Sequence, residues 1–359
     1  MDEERGLLDV DQAVQLDRDE IRENYKKYVN PGLMRMFSLL NFDKKYEKAE
    51  GTRLWDSEGN QYLDFLGGYG ALNLGHNPDK VLKAIKQVEH LPNILQASMG
   101  TMTSAAAKNL AKITPGKLSH TFFANSGTEA VEGAIKLARA ASGKEKIIYA
   151  EGSFHGKTMG SLSITGRTKY QKPFSPLMPA SEEVPYGDPD ALELKLKYGN
   201  IAAFIVEPIQ GEAGIIIPPE GYLKEIRALC DKYDTYLIFD EIQTGLGRTG
   251  ELFACEAEDI VPDIMCLAKS LGGGVMPVGA FTTTEDIWGK AFGGINKALL
   301  HTSTFGGNTL ATAAVIAATN QIVEDRLTEQ AQEKGEYLLA KLQKLADRHE
   351  MIAEVRGRG

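Results

Sequence analysis

Ile264-Met265-Cys266-Leu267-Ala268-Lys269-Ser270-Leu271-Gly272-Gly273-Gly274 is the stretch on which the fold turns. Its apolar run is too short for a helix and reads as a strand buried on both faces. A lysine at the end of such a strand, followed by three glycines, is poorly explained as a solvated surface charge. Upstream, Tyr236-Leu237-Ile238-Phe239-Asp240 has the same form with a carboxylate at its end. Ala202-Ala203-Phe204-Ile205-Val206, Lys146-Ile147-Ile148-Tyr149 and Thr121-Phe122-Phe123 are further short apolar runs, and helical patterns at 127 to 141 and 219 to 233 separate them. Alternation of this kind predicts an α/β fold: a largely parallel sheet with helices on both faces.

Outward from this centre, Val10, Val14, Ile21, Tyr25 and Tyr28 recur at helical spacing, and Asn30-Pro31-Gly32 ends the pattern, so residues 9 to 29 are expected to form one amphipathic helix. Trp55-Asp56 and Tyr62-Leu63-Asp64-Phe65 flank Ser57-Glu58-Gly59-Asn60 as a hairpin would. After Asn308 the chain is helical to 349. The expected division is 1–66 for an N-terminal helix and small β segment, 67–308 for a large domain, and 309–359 for connecting helices and the start of a further small domain.

A chain of 359 residues can bury an extensive core without disulfides or structural metal. Forty Lys+Arg against forty-nine Asp+Glu give a net charge of −9, which offers no footprint for nucleic acid or an anionic membrane. The acidic start MDEERGLLDVDQ lacks the pattern of a signal or transit peptide, and no apolar run approaches the about eighteen residues of a membrane span, so a cytoplasmic protein is expected. Cys230, Cys255 and Cys266 have no metal-binding or paired spacing and are expected to be reduced and buried, with no metal site. Glycine is in excess, 37 residues, and most sit at strand ends, where backbone amides approach an anionic ligand.

Two phosphate motifs compete for this reading. Gly245-Leu246-Gly247-Arg248-Thr249-Gly250 matches a dinucleotide fingerprint but is not the immediate turn from strand to helix. Gly156-Lys157-Thr158 suggests a phosphate-loop triphosphatase, yet the loop needs glycine where Glu151 stands, and Gly152 is one residue out of register. The triphosphatase is the alternative from another class of function.

Lys269 and Asp240 together fit better. A buried lysine can form a Schiff base, and an aspartate beside it can hold a pyridine nitrogen protonated, which is the logic of pyridoxal 5'-phosphate. A helix N-cap is the bland alternative for Asp240. Asn125-Ser126-Gly127-Thr128-Glu129 joins a strand to a helix and offers free amides to a phosphate. Phe154, before His155, could stack on the ring or pack in the core.

These residues carry a resemblance. Asn125-Ser126-Gly127-Thr128-Glu129-Ala130, Phe154-His155-Gly156-Lys157-Thr158, Glu207-Pro208-Ile209-Gln210-Gly211-Glu212, Asp240-Glu241-Ile242-Gln243-Thr244-Gly245, Leu267 to Gly274, and Ser303-Thr304-Phe305-Gly306-Gly307-Asn308 resemble the class III, fold type I pyridoxal-phosphate aminotransferases. Tyr28-Val29-Asn30-Pro31-Gly32, Thr114-Pro115-Gly116-Lys117-Leu118 and Cys266 to Pro277 resemble the putrescine-acting branch. The resemblance implies that Lys269 carries the cofactor and shuttles a proton and that Asp240 pairs with the pyridinium. It further implies that Phe154 and His155 lie at the ring, Gln243 approaches the ring hydroxyl, and Glu207 sits beside the ring. Ser126, Gly127 and Thr128 would hold the phosphate with Thr304 of the partner subunit of a homodimer. Higher oligomers are compatible with this arrangement.

Glu212 is implied near the substrate, and Tyr69 either lines an amine tunnel or packs in the core. Ornithine and acetylornithine members place arginine where this chain has Lys157. Loss of that bidentate fork points to a diamine donor, putrescine or cadaverine, with 2-oxoglutarate as acceptor, as in polyamine catabolism. An ornithine, acetylornithine or other omega-amino acid donor is the alternative. Family members continue beyond Arg356-Gly357-Arg358-Gly359 into a small α+β domain, of which only a part is expected here.

Overall fold

A computed structural model describes residues 7–95 and 98–359; the first six residues of the acidic N-terminal run lie outside the described residues. The chain forms two compact units, Met1–Phe65 and Leu66–Gly359. Residues 309–359, set apart in the division expected from sequence, fall within the second unit.

In the first unit the single helix expected over 9 to 29 is broken. Val10–Gln15 and Arg18–Asn24 are separate helices, and the second runs into a wide turn at Tyr25–Val29. The cause is local: the Asp17 side chain accepts from Glu20 N at 2.8 Å while the Glu20 carboxylate accepts from Asp17 N at 2.9 Å. This reciprocal cap starts a new helix where the apolar spacing alone would continue the old one. The hairpin forms as read, within a three-stranded antiparallel sheet of β1 (Tyr46–Glu50), β2 (Arg53–Asp56) and β3 (Gln61–Leu63).

The second unit is built on β4 (His120–Ala124), β5 (Lys146–Ala150), β6 (Ser181–Val184), β7 (Ile201–Val206), β8 (Tyr236–Asp240), β9 (Ile264–Leu267) and β10 (Gly279–Thr283), in the order β4-β10-β9-β8-β7-β5-β6. All neighbours pair in parallel except β10, which runs against both β9 and β4. The mostly parallel α/β sheet expected from the sequence is therefore present. The continuous apolar runs follow from burial on both faces: Phe204, Val206, Leu237, Phe239, Met265 and Leu267 enter one core, while Ala203, Ile205, Ile238, Ile264 and Cys266 enter the other. The helix Gly127–Ser142 covers the second face with Ala130, Ala134 and Ala138, small enough for close approach, and with Val131 and Ile135. Chain order reverses beside β5: β6 lies to one side of it and β7, β8 and β9 succeed one another on the other. Open α/β sheets bind ligands at the carboxyl ends beside such a reversal.

Candidate active site

Three adjacent parallel strands deliver their next residues to one edge. Glu207 follows β7, Asp240 ends β8, and Lys269 follows β9 after Ala268. Burial pushes the Lys269 ammonium below its usual range, against the opposing pull of Asp240 and Glu207. A fraction of neutral amine is thereby available at lower pH than for a solvated lysine.

Asp240 is buried and its two oxygens are fixed. Oδ2 lies 2.7 Å from His155 Nδ1, and Oδ1 accepts from Ile242 N at 3.1 Å. No helix follows Asp240, so the N-cap alternative falls; the residue closes a turn and keeps its carboxylate at the sheet edge. His155 is itself pinned by its backbone N–H on Thr165 Oγ1 at 3.1 Å, and its Nε2 is buried with no hydrogen-bond partner.

Glu207 is buried beside them. Oε2 accepts from Phe154 N at 3.0 Å and Oε1 from Gly211 N at 3.3 Å. Burial raises its carboxyl to about 7, His155 opposing and Asp240 adding to the rise. Gln243 Nε2 donates to Tyr69 O at 3.1 Å, which ties the 67–70 turn to the loop after β8.

The helix Gly127–Ser142 starts at the same edge with Ser126 as its N-cap. Its first amides have no acceptor inside the helix, as at any helix start. A Cβ at Gly127 would lie 2.9 Å from Ile242 Cδ1 and 3.4 Å from Ala268 Cβ, so glycine is what lets this N-terminus reach the residue before Lys269. Thr128 departs from the simple phosphate role: its hydroxyl bonds Thr158 Oγ1 at 2.7 Å and Ser161 Oγ at 2.6 Å.

A more open group forms the rim. Phe154 is half-buried and meets Tyr170 edge-to-face at 6.1 Å, while Lys157 Nζ stands 4.7 Å from the Tyr170 ring centre and 5.7 Å from that of Phe154. Glu212 Oε1 accepts from Tyr170 OH at 2.7 Å, and Arg167 Nη1 donates to Glu212 O at 2.5 Å. Tyr69 is 72% exposed, which removes the core-packing alternative for it. Thr304 is exposed in a turn next to Ser303, whose Oγ accepts from Asn125 Nδ2 at 3.0 Å.

Sequence reasoning missed Tyr170, Arg167 and Arg248. Tyr170 and Arg167 carry no motif signal, and Arg248 lay inside the rejected dinucleotide match. The structure also explains both decoys. Gly245 to Gly250 is a run of turns that opens no helix, and the next one, a short 3-10 helix, starts only at Ala254. Beyond Gly156-Lys157-Thr158, the short helix Met159–Ser163 has its first amides taken by a carboxylate: Glu132 Oε1 accepts from Gly160 N at 2.9 Å and from Ser161 N at 3.1 Å. A triphosphate has no place there. All three cysteines are free and buried; burial pushes the Cys230 thiol up to about 12 and raises Cys255 and Cys266 as well, so none supplies a thiolate at neutral pH.

Comparison with known proteins agrees with this geometry. The sequence model of the family Aminotransferase class-III matches residues 39–359. Among solved structures, an ornithine aminotransferase from Toxoplasma gondii, described with PLP at its active site, is 33% identical with a TM-score of 0.88, over 97% of this chain and 81% of that one. An acetylornithine aminotransferase from Elizabethkingia anophelis is 33% identical with a TM-score of 0.80, over 96% of this chain and 83% of that one. An (S)-enantioselective omega-transaminase from Thermomicrobium roseum is 31% identical with a TM-score of 0.87, over 95% of this chain and 82% of that one.

Proposed function

The chain belongs to the class-III aminotransferases and is a pyridoxal-phosphate-dependent enzyme of amino-group transfer; on that premise we propose that its donor is a diamine, putrescine or cadaverine, and its acceptor 2-oxoglutarate. The residues present suit the cofactor. A desolvated lysine faces a buried carboxylate that a histidine orients, and a helix N-terminus opens beside them. Bound there, the cofactor supplies an electron sink for the carbanion left when the substrate carbon loses its proton.

The chain's own groups do the rest. Lys269 Nζ would hold the cofactor and, as a neutral amine, would take and return the proton at the substrate carbon. Asp240, held by His155, would pair with the ring nitrogen. Ser126, Gly127 and Thr128 would offer the helix N-terminus to the phosphate, the last through its amide. Glu207 fixes the backbone of Phe154, whose ring would flank the cofactor, while Gln243 would reach it from the loop after β8.

One observation carries the donor reading: Lys157 has no carboxylate partner among the described residues and lies over Phe154 and Tyr170, where a family arginine would present a carboxylate fork. Glu212, at the hydroxyl of the same Tyr170 and 3.7 Å from Arg167 Nη1, supplies a negative charge for a distal ammonium. A second reading has its own support, since Lys157, Arg167 and Lys169 all stand within 6.0 Å of the Tyr170 ring centre. That cationic wall suits the carboxylate of ornithine or another omega-amino acid. A donor panel of putrescine, cadaverine, ornithine and 4-aminobutyrate with 2-oxoglutarate decides: the diamines should lead, and ornithine active with putrescine inert would reverse the assignment.

A second copy of the chain completes the site on this reading. Ile94, Leu95, Met99 and Phe305 are exposed near Thr304, an apolar rim of the kind that pairs subunits. Phe305→Asp should give monomers by light scattering and weaken cofactor retention; a monomeric parent chain that holds the cofactor fully would end this reading.

A further inference from the structure

The turn Gly67-Gly68-Tyr69-Gly70 is left-handed throughout, with φ of 56°, 58°, 56° and 94°. Glycine adopts this conformation freely; Tyr69 does not. The loop after β8 holds it there. Besides Gln243 on Tyr69 O, Arg248 Nη2 donates to Gly70 O at 3.1 Å and also to Asn73 Oδ1, and Asn73 Nδ2 returns to Leu246 O at 2.7 Å. The turn lies directly against the reactive lysine: a Cβ on Gly70 would be 3.9 Å from Lys269 Cδ and 3.5 Å from Gln243 Cγ.

Arg248 is costly where it sits. No carboxylate pairs with it among the described residues, its Nε is buried without a partner, and burial pushes its guanidinium below the usual range. A partly buried cation with no counter-ion destabilises a fold unless something else requires it. Here the guanidinium is directed at a main-chain carbonyl of the strained turn. The charged groups that face Lys269 are Asp240, Glu207 and Glu212, which favour its ammonium, and Arg248, which opposes it.

We propose that Arg248 is a positioning residue of the amino-transfer site: it locks the left-handed turn Gly67–Gly70 against Lys269, sets Tyr69 at the mouth, and places a cation facing the lysine. The proposal rests on Lys269 as the reactive amine, but its test does not need turnover. In the cofactor-free full chain, the pH midpoint of Lys269 is read from its rate of reductive methylation by mass spectrometry, and the turn from hydrogen exchange of the Ala71 and Leu72 amides, which donate within it at 3.2 and 3.1 Å.

Arg248→Gln should raise the Lys269 midpoint and speed exchange of both amides by about tenfold or more, the size of one charge-assisted hydrogen bond. Arg248→Lys keeps the charge without the fork, so exchange should speed while the midpoint stays. Asn73→Ala should act in the same direction on exchange, and combined with Arg248→Gln it should add little, because the two share one network. Unchanged exchange and midpoint in folded Arg248→Gln, or unchanged exchange in Arg248→Lys should the glutamine variant not fold, overturns the proposal. Failure of the parent chain to fix the cofactor on Lys269 under borohydride would instead strike at the functional reading and leave these two measurements standing.

Discussion

The floor and the rim of this site are built on opposite terms. On the floor, Asp240, His155 and Glu207 are buried, and each carboxylate oxygen there meets a defined donor. On the rim, Lys157 and Glu212 are exposed; Lys157 lies over the Phe154 and Tyr170 rings, and Glu212 is held by the Tyr170 phenol and by Arg167. The floor sits at the ends of strands buried on both faces, so its geometry is inherited from the core. The rim sits on loops, where a side chain can change partners at small cost. A transaminase must accept two different substrates in turn, and this division of rigidity suits it: invariant chemistry below, adjustable recognition above.

If that division holds, floor substitutions should reduce turnover for every substrate alike. On the proposed reading Lys269→Ala removes the group that moves the proton, and it should cut kcat by about 10²–10⁴-fold for all donors, measured with the cofactor in excess. Asp240→Asn leaves the shape and removes a buried charge, and should cost on the order of 10²-fold in kcat while KM ratios between donors stay constant. A donor-dependent loss in either variant would show that floor and rim are one unit.

The rim should respond by selection. Lys157→Arg restores a fork, so kcat/KM for ornithine should rise relative to putrescine by about tenfold, the worth of one good charge-assisted pair. The melting temperature should hardly move, because an exposed residue without an ion pair leaves little behind. Equal changes for both donors would remove the rim's claim to set specificity.

The same contrast explains what the sequence made legible. Strand ends carry their function in plain view: an apolar run stopping at Asp240 or just before Lys269 can be read from burial alone. β10 escaped notice because Gly279-Ala280-Phe281-Thr282-Thr283 mixes glycine and threonine into a fully buried strand, and its antiparallel pairing depends on partners far along the chain. The break after Gln15 was missed because apolar spacing outweighed a short-range cap. Tyr170 and Arg248 were illegible for a further reason. Their roles come from contacts with Glu212 and Gly70, at separations of 42 and 178 residues, and no local pattern encodes such contacts.

Glu207 belongs to both regions, and it offers the smallest and finest test. By burial it is floor; by its bonds to Phe154 N and Gly211 N it holds the two loops that carry the rim. Its carboxyl lies at about 7 against an ordinary 4.5, through burial and the nearby Asp240, with His155 opposing. Between those values the folded protein keeps a proton that the unfolded chain has released, so this group's contribution to stability declines as pH rises through that window. Glu207→Gln does not titrate. It retains one carbonyl acceptor and turns an NH2 toward the other amide, a loss of about one hydrogen bond. In the cofactor-free protein, the melting temperature of the variant should therefore trail the parent most near pH 5 and recover by about 2 °C toward pH 8. Parallel curves across that range would mean that the carboxylate is charged throughout, and that a permanent charge holds the rim to the floor. A converging pair would mean that Glu207 holds its proton below about 7 and that losing it costs the fold stability, so that the bonds to Phe154 and Gly211 are coupled to pH through a residue of the rigid part.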